Sequence, residues 1–164
     1  MKTLVVIRHG KSSWKHPNLK DHQRPLKQRG VNNAFSIGKE LIERNINPDH
    51  FLSSPAVRAL DTAIIIATNL GCSLEKIATD STIYEASVSE LLTVLSAIAD
   101  EHETVLFFGH NPSFTSLVNR LQEEQLFNLP TCGAVGIELP ITSWNQILET
   151  SGNQLFKLIP KEFS

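Results

Sequence analysis

The chain has 164 residues, 41% of them apolar and 20% charged, enough for one core without disulfide or metal staples and unlike a disordered, collagenous or membrane-spanning chain. Its formal charge of −2, with no run of Lys and Arg interleaved with aromatics, argues against nucleic acid as a partner. Cys72 and Cys132 are far apart and lack C-x-x-C spacing, so both are expected to be reduced and mostly core. The first apolar run, Leu4 to Ile7, is too short for a leader or a membrane helix, so the expected location is cytoplasmic with no membrane partner.

Thr3 to Ile7 is a continuous apolar and β-branched run without polar alternation, the pattern of a strand buried on both faces. Arg8-His9-Gly10 then forms the turn at its end. The polar segment from about Trp14 to Leu26, interrupted by Pro17 and Pro25, predicts a long surface loop of the kind that carries function. From about Lys27 to Asn45 the residues Val31, Ala34, Phe35, Ile37, Leu41 and Ile42 follow a helical stripe. Phe51 to Ser53 reads as a short strand. Ser54 and Pro55 form an N-cap and first-turn pair for a helix closing at Gly71. Ile77 to Tyr84 reads as a weaker strand or extended connection, and Ser87 to about Ala99 as an amphipathic helix.

Thr104 to Phe108 repeats the first pattern and runs into Gly109-His110-Asn111, with a helix from Pro112 to Leu121. Ala134 to Leu139 and Leu155 to Ile159 read as strands around an irregular stretch near Trp144. No linker-like break or repeat interrupts the chain, so a single domain over residues 1–164 is expected. The βαβα order predicts an α/β fold, a three-layer α/β/α sandwich around a mostly parallel sheet.

In open α/β sheets, sites form outside the carboxyl ends of the strands. Arg8 and His9 follow the first strand, Arg58 opens the helix after the second, Glu85 follows the third strand-like run, and His110 follows the fourth. Two arginines and two histidines at one edge repel one another unless an anion completes the set, which points to a phosphoryl ligand. The arginine fork suits two phosphate oxygens, and nearby cations favour a neutral imidazole with a lone pair for phosphorus. With no H-E-x-x-H pair or carboxylate cluster at ligand spacing, neither a metal nor another cofactor is expected.

The strand-plus-RHG opening VVIRHGKSS, the block SSPAVRALDTA and the later FFGHNP resemble, in order, three signatures of the histidine phosphatase superfamily with its phosphoglycerate-mutase-like fold. Short length, DHQRPLKQRG and IYEAS resemble the SixA-type phosphohistidine phosphatases most. The resemblance spans most of the chain and is weakest beyond about Pro140. It implies His9 as the nucleophile that becomes phosphorylated, Arg8 and Arg58 as the phosphate clamp, and His110 as a hydrogen-bond partner of a phosphoryl oxygen. Arg24 is implied as a further phosphate contact, its alternative being a surface ion pair with Asp21. Glu85 matches the proton donor's position through a looser motif. Ser12 has two readings, a phosphate contact or a turn cap.

One helix and one strand account for the residues between Glu85 and His110, leaving little for a lid, so the site is expected to be shallow and open. That fits a protein-borne phosphate or an unselective phosphatase, and with the SixA-type resemblance it implies a metal-independent phosphatase acting on protein phosphohistidine. The alternatives are a phosphatase for a small phosphomonoester such as a sugar or nucleotide phosphate, and a non-catalytic phosphate-binding module. A mutase is disfavoured, because returning the phosphoryl group to a second position requires shielding the intermediate from water.

Overall fold

The computed structural model describes residues 1–160; the last four residues of the expected domain lie outside them. A six-stranded sheet has the order β3-β2-β4-β1-β5-β6. Its strands are β1 (Lys2–Arg8), β2 (His50–Ser53), β3 (Ile77–Thr79), β4 (Thr104–Gly109), β5 (Ala134–Leu139) and β6 (Asn153–Leu158). The pairs β1–β4, β2–β4 and β2–β3 are parallel, while β5 runs antiparallel to β1 and to β6. The mostly parallel expectation describes the half that carries the site, and the other edge is antiparallel.

Helices α1 (Gln28–Glu43), α2 (Val57–Asn69), α3 (Val88–Ser96) and α4 (Ser113–Leu121) complete the layers. The apolar run of β1 is continuous because both faces are covered. Leu4 and Val6 join Val105, Phe107, Leu91 and Leu117 in one core, while Val5 and Ile7 join Leu106, Phe108, Ile37 and Ala63 in the other.

Several local expectations change. Phe35 and Ile42 lie on the exposed face of α1, whose buried stripe is Gly30, Ala34, Ile37, Gly38 and Leu41. Two glycines in that stripe let the helix pack closely: a Cβ on Gly38 would sit 2.7 Å from the Asn69 side chain of α2. Ser54 is not the cap of α2, which starts after Ala56. The weak strand after residue 77 is three residues long and gives way to a 3-10 turn at Ser81–Ile83. Helix α3 is shorter than expected and ends at Ser96, with Ala97 as its C-cap. Around Trp144 a 3-10 helix, Trp144–Glu149, buries Trp144 and Ile147 in place of irregular chain. Both cysteines are free, Cys132 buried and Cys72 half-buried.

Register positions the site. Arg8 pairs with Gly109 and Ser53 with Phe108, so β1, β2 and β4 end at one level. Backbone bonds continue beyond the strands, from His9 N–H to Gly109 O (3.1 Å) and from Ser54 N–H to Phe108 O (3.0 Å). His9 and His110 therefore leave adjacent strands side by side, with ring centroids 5.2 Å apart.

Candidate active site

One cavity of about 290 Å³ at these strand ends is lined by Arg8, His9, Lys11, Ser12, Trp14, Arg24, Arg58, His110, Asn111 and Thr131. Six of the seven predicted site residues converge there. Glu85 does not: it is exposed, with left-handed backbone (φ 59°), one residue beyond Tyr84. A non-glycine residue in that region is uncommon and carries a local cost.

His9 is 7% exposed, and its Nδ1 lies 2.7 Å from the Gly10 carbonyl. A carbonyl only accepts, so Nδ1 carries the proton and Nε2 keeps its lone pair. Arg58 Nε–H points at that lone pair from 3.4 Å. Burial first, then the charges of Arg58, Arg8 and Arg24, lower the His9 pKa to about 4, against the opposing Gly10 bond. The imidazole is thus neutral at pH 7. The expectation that cations favour this form stands, with desolvation as the larger cause.

The RHG backbone is held from two sides. Gly10 N–H donates to Thr62 Oγ1 (3.0 Å), whose hydroxyl donates to Arg58 O (2.7 Å). Cys132 N–H lies 3.0 Å from both Arg8 O and His9 O, from a left-handed conformation (φ 61°). The nucleophile candidate therefore sits on backbone fixed by α2 and by the chain entering β5.

His110 Nε2 lies 2.8 Å from Ser54 Oγ. Ser54 Oγ also accepts the Ala56 N–H (3.2 Å), and its own proton is available to Nε2. That leaves the ring proton on Nδ1, which is buried and has no partner among the described residues. Burial, then His9 and Arg58, lower the His110 pKa to about 3. A neutral ring with an unused N–H, on a residue that lines the cavity, has a donor to offer an anionic oxygen.

The arginines are ordered by Asp21, for which the sequence alone offers only an ion pair with Arg24. Arg58 donates to Asp21 O (2.8 Å) and Oδ2 (3.0 Å), Arg24 donates to Oδ1 (3.0 Å), and the Tyr84 hydroxyl donates to Oδ2. Tyr84 first, then the two guanidinium groups, hold this carboxyl well below the usual range. The protein thus supplies part of the anion that the cation cluster requires. Arg24 forms the Asp21 ion pair and also lines the cavity. It donates to Ser12 Oγ and Ser13 O as well, and its guanidinium stacks 3.3 Å from the ring centre of Trp14.

Arg8 is only partly committed. One of its terminal nitrogens donates to Leu129 O (3.1 Å), while the buried Nε has no partner among the described residues. Among the same residues, no group of three or more His, Cys, Asp or Glu side chains could hold a metal ion, and no helix is long and apolar enough to cross a membrane.

The histidine phosphatase superfamily (branch 1) model matches residues 4–91, spanning β1 through Arg58 to Glu85. An uncharacterized chloroplastic protein of Arabidopsis thaliana is 25% identical over 163 residues, covering 94% of this chain and 74% of that one. The 2,3-bisphosphoglycerate-dependent phosphoglycerate mutase of Chlamydia pneumoniae is 38% identical over 71 residues, which is 42% of this chain but only 30% of the mutase. The protein histidine phosphatase SixA complexed with tungstate superposes with a TM-score of 0.84 over 99% of both chains at 19% identity, a likeness of fold. Arg8, His9 and Arg58 fall within the matched residues and His110 joins them at the strand ends; the chain belongs to the histidine phosphatase superfamily.

Proposed function

We propose that the protein is a metal-independent phosphatase that works through phosphorylated His9 and acts on protein phosphohistidine. The observation that carries this reading is the His9 ring: buried, neutral, with Nε2 unprotonated and facing Arg58 Nε–H in the cavity that Arg8 and His110 also line. The lone pair of Nε2 attacks phosphorus, the bond to the leaving group breaks, and the leaving group departs with the bonding pair. Arg8, Arg58, Arg24, His110 Nδ1 and Ser12 carry the charge on the phosphoryl oxygens, the role a Mg²⁺ ion fills elsewhere. Water then attacks the phosphohistidine, the P–N pair returns to Nε2, and phosphate leaves.

Glu85 is the proposed proton donor for an alkoxide leaving group, acting from the rim. A mutase and a phosphatase working through phosphorylated His9 would share the first step, and the fate of the phosphoryl group separates them. Only α3 and β4 form regular elements between Glu85 and His110, so that stretch supplies no cover against water, which favours hydrolysis.

The test is release of inorganic phosphate from a phosphohistidine-bearing protein, beside a panel of sugar and nucleotide phosphates, for wild type and His9→Ala in EDTA. Rapid, His9-dependent release from the protein is expected. Preference for a free metabolite would move the function to a small-molecule phosphatase, and turnover by His9→Ala would refute the mechanism.

A further inference from the structure

The overall charge of −2 conceals a strong segregation. Eight of the 15 Lys and Arg residues lie in the first 30 positions, together with one of the 17 Asp and Glu residues. Five of these cations, Lys11, Lys15, Lys20, Lys27 and Arg29, are exposed and form no ion pair among the described residues. They are carried by the loop that walls the active site and by the first turn of α1.

The loop is a built surface. Its two arms are tied by Ser13 N–H to Pro25 O (2.8 Å), by Lys27 N–H to Lys11 O (2.8 Å) and by a bridge between Ser12 and Leu26. Gly30 packs so tightly below that a Cβ there would lie 2.4 Å from Lys11 O. Between the arms opens a second cavity of about 480 Å³, lined by Ser13, Lys15, His16, Pro25, Leu26, Lys27, Gln28 and Arg29. Neighbouring residues of one ladder line the two cavities: Ser12, Trp14 and Arg24 face the first, and Ser13, Lys15 and Pro25 the second. Trp14, 76% exposed and stacked on Arg24, stands where they meet. Large exposed aromatics of this kind anchor protein interfaces.

We propose that this groove is a substrate-docking subsite for an acidic polypeptide segment flanking the phosphorylated residue. Lys15, Lys27 and Arg29 pair with its carboxylates, and the half-buried Pro25 and Leu26 receive an apolar side chain between them. A small phosphomonoester has nothing to place there, so the groove deepens the protein-substrate reading and rests on the first cavity holding the phosphoryl group. The paired acids also supply steering, which salt weakens.

The test is fluorescence anisotropy of labelled peptides carrying a non-hydrolysable phosphohistidine analogue with acidic, neutral or basic flanks, on wild type and on Lys15→Glu/Lys27→Glu/Arg29→Glu. Thermal melts check that the triple variant is folded. Acidic flanks are expected to bind roughly tenfold more tightly than neutral ones, with the preference abolished by charge reversal and by about 0.5 M salt. Equal affinity for all flanks, an unchanged triple variant, no binding of any peptide, or stronger capture by phosphatidylserine vesicles than by peptide would overturn the proposal. Binding is read without turnover. Flank-selective binding with no hydrolysis of the matching phosphohistidine peptide would therefore sink the phosphatase reading alone, and flank-blind binding with hydrolysis would sink the subsite alone.

Discussion

Arg58 Nε stands 3.4 Å from His9 Nε2 while the same guanidinium is forked onto Asp21 through its two terminal nitrogens. One side chain thus touches the nucleophilic nitrogen and an anchoring carboxylate together. Lysine keeps the charge but has neither the planar fork nor the Nε–H direction. Arg58→Lys is therefore expected to lose roughly 100-fold or more in kcat, measured as steady-state phosphate release, with near-native activity contradicting a directional role.

The acid limb of the pH profile follows from the same geometry. His9 is lowered to about 4, chiefly by burial, and attacks only when neutral, so activity is lost as pH falls through that value and is retained above it. Corrected for the substrate's own ionisation, kcat/KM should stay level from pH 7 to about 5 and decline towards 4. An inflection near the ordinary imidazole value of about 6.5 would show that His9 titrates as in water.

Asp21 acts through the arginines and is a positioning residue. Its carboxylate both aims Arg58 and Arg24 and offsets their charge, so Asp21→Asn should move two observables in opposite directions. Loosened arginines lower kcat, by about tenfold, whereas the added positive potential tightens competitive inhibition by inorganic phosphate. A merely structural role would weaken both together, and steady-state kinetics with phosphate as inhibitor distinguishes the two.

Gly30 supports the site from below. A methyl group there would meet the Lys11 backbone at 2.4 and 2.8 Å, contacts with main chain that cannot swing away. Gly30→Ala is expected to destabilise the fold by about 1–3 kcal/mol, seen in urea unfolding. Gly71→Ala is a comparison of a different kind, since no atom lies near a Cβ there but φ is +69°. Its cost should be the backbone one alone, about 1 kcal/mol.

What was legible in the sequence was what short-range pattern encodes. The β-branched run into Arg8-His9-Gly10 and its echo at Gly109-His110 gave two parallel strands ending together, and Arg58 followed from the helix that opens after β2. Asp21 was visible as a neighbour of Arg24 three residues away, but its grip on Arg58 spans 37 positions and depends on how an irregular loop folds back. Ser54 read as a helix cap because serine before proline favours that role. Its hydroxyl instead serves Ala56 and His110, a use that appears only when β2 and β4 are placed side by side. Phe35 and Ile42 fit a helical period yet face outward, because the other stripe of α1 packs inward, Gly38 against Asn69 of α2 and Gly30 on the Lys11 backbone.

Glu85 lies outside the cavity lining, exposed and in a left-handed conformation, so its contribution should depend on what leaves. An alkoxide is a poor leaving group that needs a proton in the transition state, and such assistance is typically worth about 10²- to 10⁴-fold. An imidazole leaving from phosphohistidine is stable as the neutral ring once protonated, and water can supply that proton. Glu85→Gln keeps the size and removes the acid. It is expected to depress hydrolysis of a phosphate ester such as p-nitrobenzyl phosphate by about 100-fold while changing phosphohistidine hydrolysis by less than about threefold. Equal losses on both substrates would place Glu85 in phosphoryl binding or water activation, and no loss on either would leave proton delivery to solvent.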